Sequence, residues 1–260
     1  MWNHKKPTLV LIVLLSISIV TAMAAMRNQN QSGVPAAKQV EKPNLPVTDY
    51  NAPEPTDPGK KLLRSARGRH YDNHDPTIKG DRINLFRLSE NSQSSYGGPA
   101  SHAPVEPALP ASQSDAIVTG EVTDASAHLS NDKTSIYSEF TVGVSEVIKN
   151  ASPVSLAVGN TITVERYGGA VRFPSGKIVE RALLGKPLPS AGRKYLFFLK
   201  YDVDGQDYSI ITGYELRAGI IFPLDGQNEF GNVQQPYSAY QKYKGMEEQT
   251  FLNEVRQLTY

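Results

Sequence analysis

Residues 114–224 predict an all-β fold, and three observations carry that reading. Short segments alternate apolar and polar side chains with period 2, the pattern of half-buried strands. Gly, Asn and Asp residues punctuate them at the spacing of tight turns. One run, Tyr195 to Tyr201, is apolar on both faces and belongs in the middle of a covered sheet. Five to seven antiparallel strands forming a barrel or a sandwich, followed by a C-terminal helix, satisfy all three.

The strands follow in order. Ala116, Val118, Gly120 and Val122 alternate with Ile117, Thr119, Glu121 and Thr123. Ser130 to Lys133 supplies turn residues, and a second strand places Ile136, Phe140, Val142 and Val144 on its apolar side, so the two read as an antiparallel hairpin. Gly159-Asn160 introduces Ile162 and Val164, and Gly168-Gly169 ends that strand. Pro174-Ser175-Gly176 interrupts Val171 to Leu184, leaving a ragged hairpin or an irregular excursion. After Tyr195–Tyr201, Asp204-Gly205 marks a turn, and Tyr208–Thr212 and Gly219–Leu224 complete the set. Residues 225–260 form a tail in which 246–258 carries Phe251, Leu252, Val255 and Leu258 at helical spacing, with Glu247 and Glu248 at the start and Arg256 near the end.

The succession Ser114-Asp115-Ala116-Ile117-Val118, Tyr137 to Val142, Val147-Ile148-Lys149-Asn150, Ile162-Thr163-Val164 and Gly192 to Phe198, with a further strand and a terminal helix, resembles the netrin-like module. That module is the OB-type barrel also found in tissue inhibitors of metalloproteinases. The resemblance implies a five- to seven-stranded antiparallel OB-like barrel. Those inhibitors chelate a protease zinc through an N-terminal cysteine, and this chain has no cysteine, so the inhibitory mechanism does not carry over with the fold.

The N-terminus reads as an export signal. Lys5 and Lys6 precede the apolar run Leu9–Val20, and Ala22-Met23-Ala24 supplies a small-x-small cleavage site. Residues 1–26 are either a cleaved signal peptide or a hydrophobic helix that anchors the chain in a membrane, and under both readings the remainder lies outside the cytoplasm. Residues 27–113 are rich in Pro, Asn, Gln and Ser and read as a mostly disordered linker. Within it, Asp57-Pro58 starts a short basic helix near 58–67 with Lys60, Lys61, Arg64 and Arg67, whose leucines are expected to dock on the barrel. Ile83, Leu85, Phe86 and Leu88 offer a second docking point.

Chemistry is sparse. The absence of cysteine removes disulfides and thiolate nucleophiles, and a net charge of +1 gives no bulk attraction to nucleic acid. His70 and His74 stand four apart but lack a third ligand, so no metal or cofactor is expected. His128 falls near a hairpin tip and reads as solvated. Glu121, Glu139 and Glu165 occupy strand positions expected to face water. The expected function is a non-catalytic binding module on a flexible tether, whose partner is a protein or an envelope polymer. Its candidate contact surface is Arg166, Tyr167, Arg172, Phe173 and Lys177 on the 168–185 excursion, with Tyr237 and Tyr240 in the tail. An envelope hydrolase is the alternative, which requires convergent Glu or Asp with His and shifted pKa values. Single-stranded nucleic-acid binding is a weaker one.

Overall fold

The computed structural model describes residues 45–72, 88–93, 95–97, 107–183, 185–226 and 238–259. The N-terminal hydrophobic segment, Ile83, Leu85, Phe86, His74, His102 and Tyr237 lie outside them. Among the described residues the chain is mostly β, with antiparallel sheets and a C-terminal helix.

Strands β3 (Ala116–Leu129) and β4 (Ile136–Asn150) form the long hairpin that the alternation predicts, and β5 (Thr161–Tyr167) pairs with β4. Strands β8 (Lys194–Asp202), β9 (Asp207–Arg217) and β10 (Ile220–Pro223) follow. The six-stranded sheet runs β10-β9-β5-β4-β3-β8, and β9 also pairs with β8. Every pairing in it is antiparallel except β5 with β9, where Val164 and Glu165 align with Tyr208 and Ser209. Register shifts in β3 after Ile117, Thr119 and Val122 mark bulges, which bend a strand and raise its twist. Gly120 sits among them because the backbones touch there: a Cβ would lie 2.6 Å from the Gly143 carbonyl oxygen.

Apolar residues on opposite faces of β8 feed two cores. Tyr195, Phe197 and Leu199 pack with Val118, Phe140 and Val164, while Leu196 and Phe198 face Ile117, Tyr214 and Ile221. The second core is covered by the tail, where helix α3 is Glu248–Gln257 and contributes Phe251, Leu252 and Val255. Glu247 caps it by accepting from the amides of Gln249 and Thr250 at 3.0 and 2.6 Å, while the short helix α2 (Ser238–Gln241) precedes it. Tyr240 and Tyr243 are buried against Tyr214, so this aromatic row is packing.

The domain also takes in residues that read as linker. Gly169–Arg172 (β6) and Ile178–Leu183 (β7) pair as a regular hairpin. Val47–Asp49 (β1) adds to β6 and Ser95–Gly97 (β2) to β7, both in parallel, giving a four-stranded sheet in the order β1-β6-β7-β2. Leu88, at 2% exposure, enters the small core under this sheet with Val171, Phe173 and Val179. A hairpin alone is marginal in water, and the two added strands complete it. Three-residue strands are too short to show periodicity, which is why they escape a sequence reading.

Candidate functional site

Helix α1 (Pro58–Arg69) is specified locally. The Asp57 carboxylate accepts from the Lys60 amide at 2.8 Å and Pro58 occupies the first turn, where its missing N–H costs nothing. Of the two leucines expected to dock it, Leu62 points to solvent at 71% exposure and Leu63 is half-buried. Contact is also made by Ala66 and Gly68, by Arg64 and Arg67, three apart on one helical face, and by Tyr71 just past the helix end. A Cβ on Gly68 would lie 2.5 Å from Asn131 Oδ1, so glycine permits the approach. The β3–β4 turn grips the far end of the helix. The Asn131 amide group donates to the Ser65 carbonyl at 2.8 Å, and the Asp132 N–H donates to the Asp72 carboxylate at 2.9 Å.

Beneath α1 lie four carboxylates from four strand segments. Glu139 and Glu165 are directly opposed across β4 and β5, and Asp202 and Asp207 across β8 and β9. Like charges in opposed positions repel, so this arrangement needs cations from elsewhere. Arg67 Nη1 donates to Glu139 Oε2 at 3.1 Å, while its Nε reaches the Gly205 carbonyl at 3.0 Å and lies 2.7 Å from Asp207 Oδ2. Arg64 Nε stands 3.7 Å from Glu139 Oε1, and its Nη1 donates to His128 Nδ1. His70 Nδ1 is 3.7 Å from both Glu165 Oε1 and Asp202 Oδ2. Ser209 donates to Glu165 at 3.1 Å, and Tyr71, stacked 4.7 Å from Tyr137, also bonds to Glu165 through its hydroxyl.

Two guanidinium groups therefore face four carboxylates, and the most buried acids absorb the imbalance by holding protons. Burial, opposed by hydrogen bonds from Ser209 and Tyr71, pushes Glu165 up to about 7. Burial and the charge of Glu165 push Asp207 up to about 8, against the pull of Arg67. His128 is driven down to about 3 by burial and by the two arginines, and its Nδ1 accepts from one of them as neutral imidazole. Glu165 Oε2 and Asp207 Oδ1 accept no hydrogen bond among the described residues.

The expectation that Glu139 and Glu165 face water is thus corrected. Their strands are covered on both sides, by the apolar core and by α1, whereas the period-2 argument assumes one wet face. His128, expected at a solvated tip, is largely covered for the same reason, its side chain 11% exposed: β3 continues past it to Leu129 and Arg64 of α1 lies against it.

Outside this cluster, α1 forms one wall of an open cleft of about 520 Å³. The loop 48–55 and the β3–β4 turn complete it, with Lys61, Arg64 and Ser65 from α1 and Ser130, Asn131 and Lys133 from the turn. Arg64 belongs to both cleft and cluster, but none of the four carboxylates lines the cleft. Lys61 pairs with Glu54 at 2.6 Å. The Lys133 ammonium sits 4.8 Å from the centre of the Tyr50 ring, which stacks on Phe173 at 4.9 Å.

The surface expected from sequence is not assembled as one. Arg166 is buried, donating to Asp225 Oδ2 at 2.7 Å and to the Pro187 carbonyl at 2.8 Å. Phe173 and Tyr240 are core residues, and Tyr167 is half-buried beside Tyr71. Arg172 and Lys177 are exposed, the first pairing with Asp49 at 3.6 Å and the second donating to the Glu90 carbonyl at 2.5 Å. The site the sequence reading missed was signalled by complementarity: cations at 60, 64 and 67 on one helical face, and acids at 139 and 165 on neighbouring strands.

Among the described residues, no group of three His, Cys, Asp or Glu side chains is arranged to hold a metal ion, and no helix is long and apolar enough to cross a membrane. No protein-family model matches the chain, and no curated protein matches it significantly.

Proposed function

We propose that this chain is a non-catalytic, extracytoplasmic binding module carried on an N-terminal tether, with the cleft between loop 48–55, α1 and the β3–β4 turn as its partner site. The observation that carries the reading is the cleft itself. Its volume lies in the range of ligand sites, and one wall is fixed by buried ion pairs. The cluster beneath then serves to hold that wall, in the way supporting contacts make a binding surface rigid. The scaffold is an OB-type barrel. In support, β3, β4, β5, β9 and β8 each pair on both sides, with one parallel contact between the third and last strands of the series in chain order. Export rests on the charged, apolar and small-residue succession of residues 5–24. The partner is a protein or an envelope polymer.

A second reading, an envelope hydrolase, is favoured by one observation, two buried carboxyls held near neutrality, one of them 3.7 Å from His70. Such acids suit proton transfer. They lie under Arg67 and Tyr71 and line no part of the cleft.

Hydrogen exchange of the full chain, with and without an envelope fraction, tests the proposal. Protection confined to 48–55, 61–65 and 129–133 is the expected result. Protection only at the β6–β7 tip, 173–177, would return the partner site to the surface expected from sequence.

A further inference from the structure

We propose that the cleft takes an oxyanion, a carboxylate or phosphate group borne on the partner, held by Lys133 and Arg64 with Lys61 at its edge. The inference rests on the cleft being the partner site and adds the chemistry of what enters it.

The charges around the cleft are unequally engaged. Glu54 is held by Lys61 at 2.6 Å, and Asp49 lies 3.6 Å from Arg172, which is not a cleft residue. Both acids are therefore answered. Lys133 forms no salt bridge among the described residues, and Glu54 is held below its ordinary pKa by Lys61, the Lys133 charge adding only the smallest contribution. Its ammonium makes a long contact of 3.5 Å with the Tyr50 carbonyl and rests over the Tyr50 ring. An ammonium has three donors, so this leaves donors directed to whatever occupies the cleft. The Tyr50 ring is covered by Lys133 and Phe173, which removes it as a platform for stacking a neutral sugar. The lining also includes Ala52, Pro53, Pro55 and Leu129, and its cationic and hydrogen-bonding groups are Lys133, Arg64, Ser65 and Asn131, the Ser130 hydroxyl being committed to Asp132. Position 133 also has a left-handed backbone, φ 57°, fixed by the turn in which the Lys133 N–H donates to the Ser130 carbonyl at 3.0 Å. The side chain thus leaves from a backbone position that the turn fixes.

Arg64 links occupancy to the cluster. It now bonds to His128 and faces Glu139. An oxyanion in the cleft shares that guanidinium and weakens its repulsion of a proton on His128, so the His128 titration moves upward when the cleft fills.

The test is calorimetric titration of the full chain with three probes, inorganic tripolyphosphate, tri-galacturonic acid and the neutral trisaccharide chitotriose, alongside NMR titration of His128. The expected result is binding of one or both anions that weakens with added salt, an upward movement of the His128 titration, and about tenfold weaker binding in Lys133→Asn, since asparagine tolerates the left-handed backbone. Phosphate alone or carboxylate alone assigns the source and supports the inference. Unchanged anion affinity in a folded Lys133→Asn protein overturns it, as does binding of chitotriose in preference to both anions, which leaves the partner-site reading standing. Failure of every probe also overturns it, and hydrogen exchange with the envelope fraction then decides separately whether the cleft is a partner site.

Discussion

Raising the pH through neutrality should loosen the domain, and Asp207→Asn should abolish much of that effect. Folding lifts Glu165 from its ordinary 4.5 to about 7 and Asp207 from 3.8 to about 8. An acid whose folded pKa is raised binds its proton more tightly in the native state, so the stability it contributes is present at low pH and is lost as the pH climbs towards the folded value. His128 works in the opposite sense. Its folded pKa is lowered to about 3 from 6.5, so the unfolded chain gains a proton below 6.5 and stability rises with pH up to that point. Between pH 4.5 and 6.5 the one histidine offsets one of the two carboxyls, so the fall in stability is about half as steep there. Above pH 6.5 only the carboxyls act, at about 1.4 kcal/mol per pH unit for each proton. Asp207 from pH 6.5 to 8 and Glu165 from 6.5 to 7 together give a loss of about 2–3 kcal/mol. With a urea dependence of about 2–3 kcal/mol per M, the unfolding midpoint should fall by about 1 M between pH 6.5 and 8. Circular dichroism of urea titrations at half-unit intervals measures this. Asp207→Asn should match the parent within about 1 kcal/mol at pH 6.5, where the acid is mostly protonated, and exceed it at pH 8.5. A flat or rising parent profile over this window, or parallel curves for parent and variant, would refute the proton-holding cluster.

Other substitutions probe neighbouring claims. Arg67→Ala strands Glu139 and Asp207 without their shared cation and should cost about 3–5 kcal/mol by urea unfolding, with a larger loss at pH 8 than at pH 6. Asp225→Ala leaves the Arg166 guanidinium buried and unpaired and should cost a similar amount, about 3–5 kcal/mol, although Arg166 lies on a segment that reads as a contact loop. Gly120→Ala drives a methyl group against the Gly143 carbonyl and Val142, each 2.6 Å from the added Cβ, and should lower stability by about 2 kcal/mol or more.

Much of the β architecture was legible because its strands announce themselves one at a time. Val118 to Val122 and Phe140 to Val144 alternate, and the unbroken apolar run at Leu196–Leu199 correctly signals a strand covered on both faces, which β8 is, between the two cores. The tail helix was legible through Phe251, Leu252 and Val255, and α1 through Asp57-Pro58. The candidate site was not, for a physical reason. Glu139 and Glu165 become neighbours only through strand pairing, and Asp207 joins them through the β5–β9 contact and through Arg67 on a helix far away in sequence. A charged residue on a strand reads as solvent-facing until something is known to cover that face. Here the cover is a basic segment embedded in Pro- and Asn-rich sequence, where cations read as solvated. Arg166 and Phe173 fail conversely: basic and aromatic residues near a broken segment resemble a contact loop, yet Arg166 is held on β5 by buried Asp225 and Phe173, just past β6, packs into the small core.

Lysine-directed crosslinking of the full chain in its native envelope, read by mass spectrometry, tests the central claim most directly. A partner crosslinked through Lys61 and Lys133, the two lysines of the cleft, is the predicted result. A partner crosslinked through Lys177, Lys200 or Lys242, with Lys61 and Lys133 unmodified by it, would contradict the cleft as the binding site.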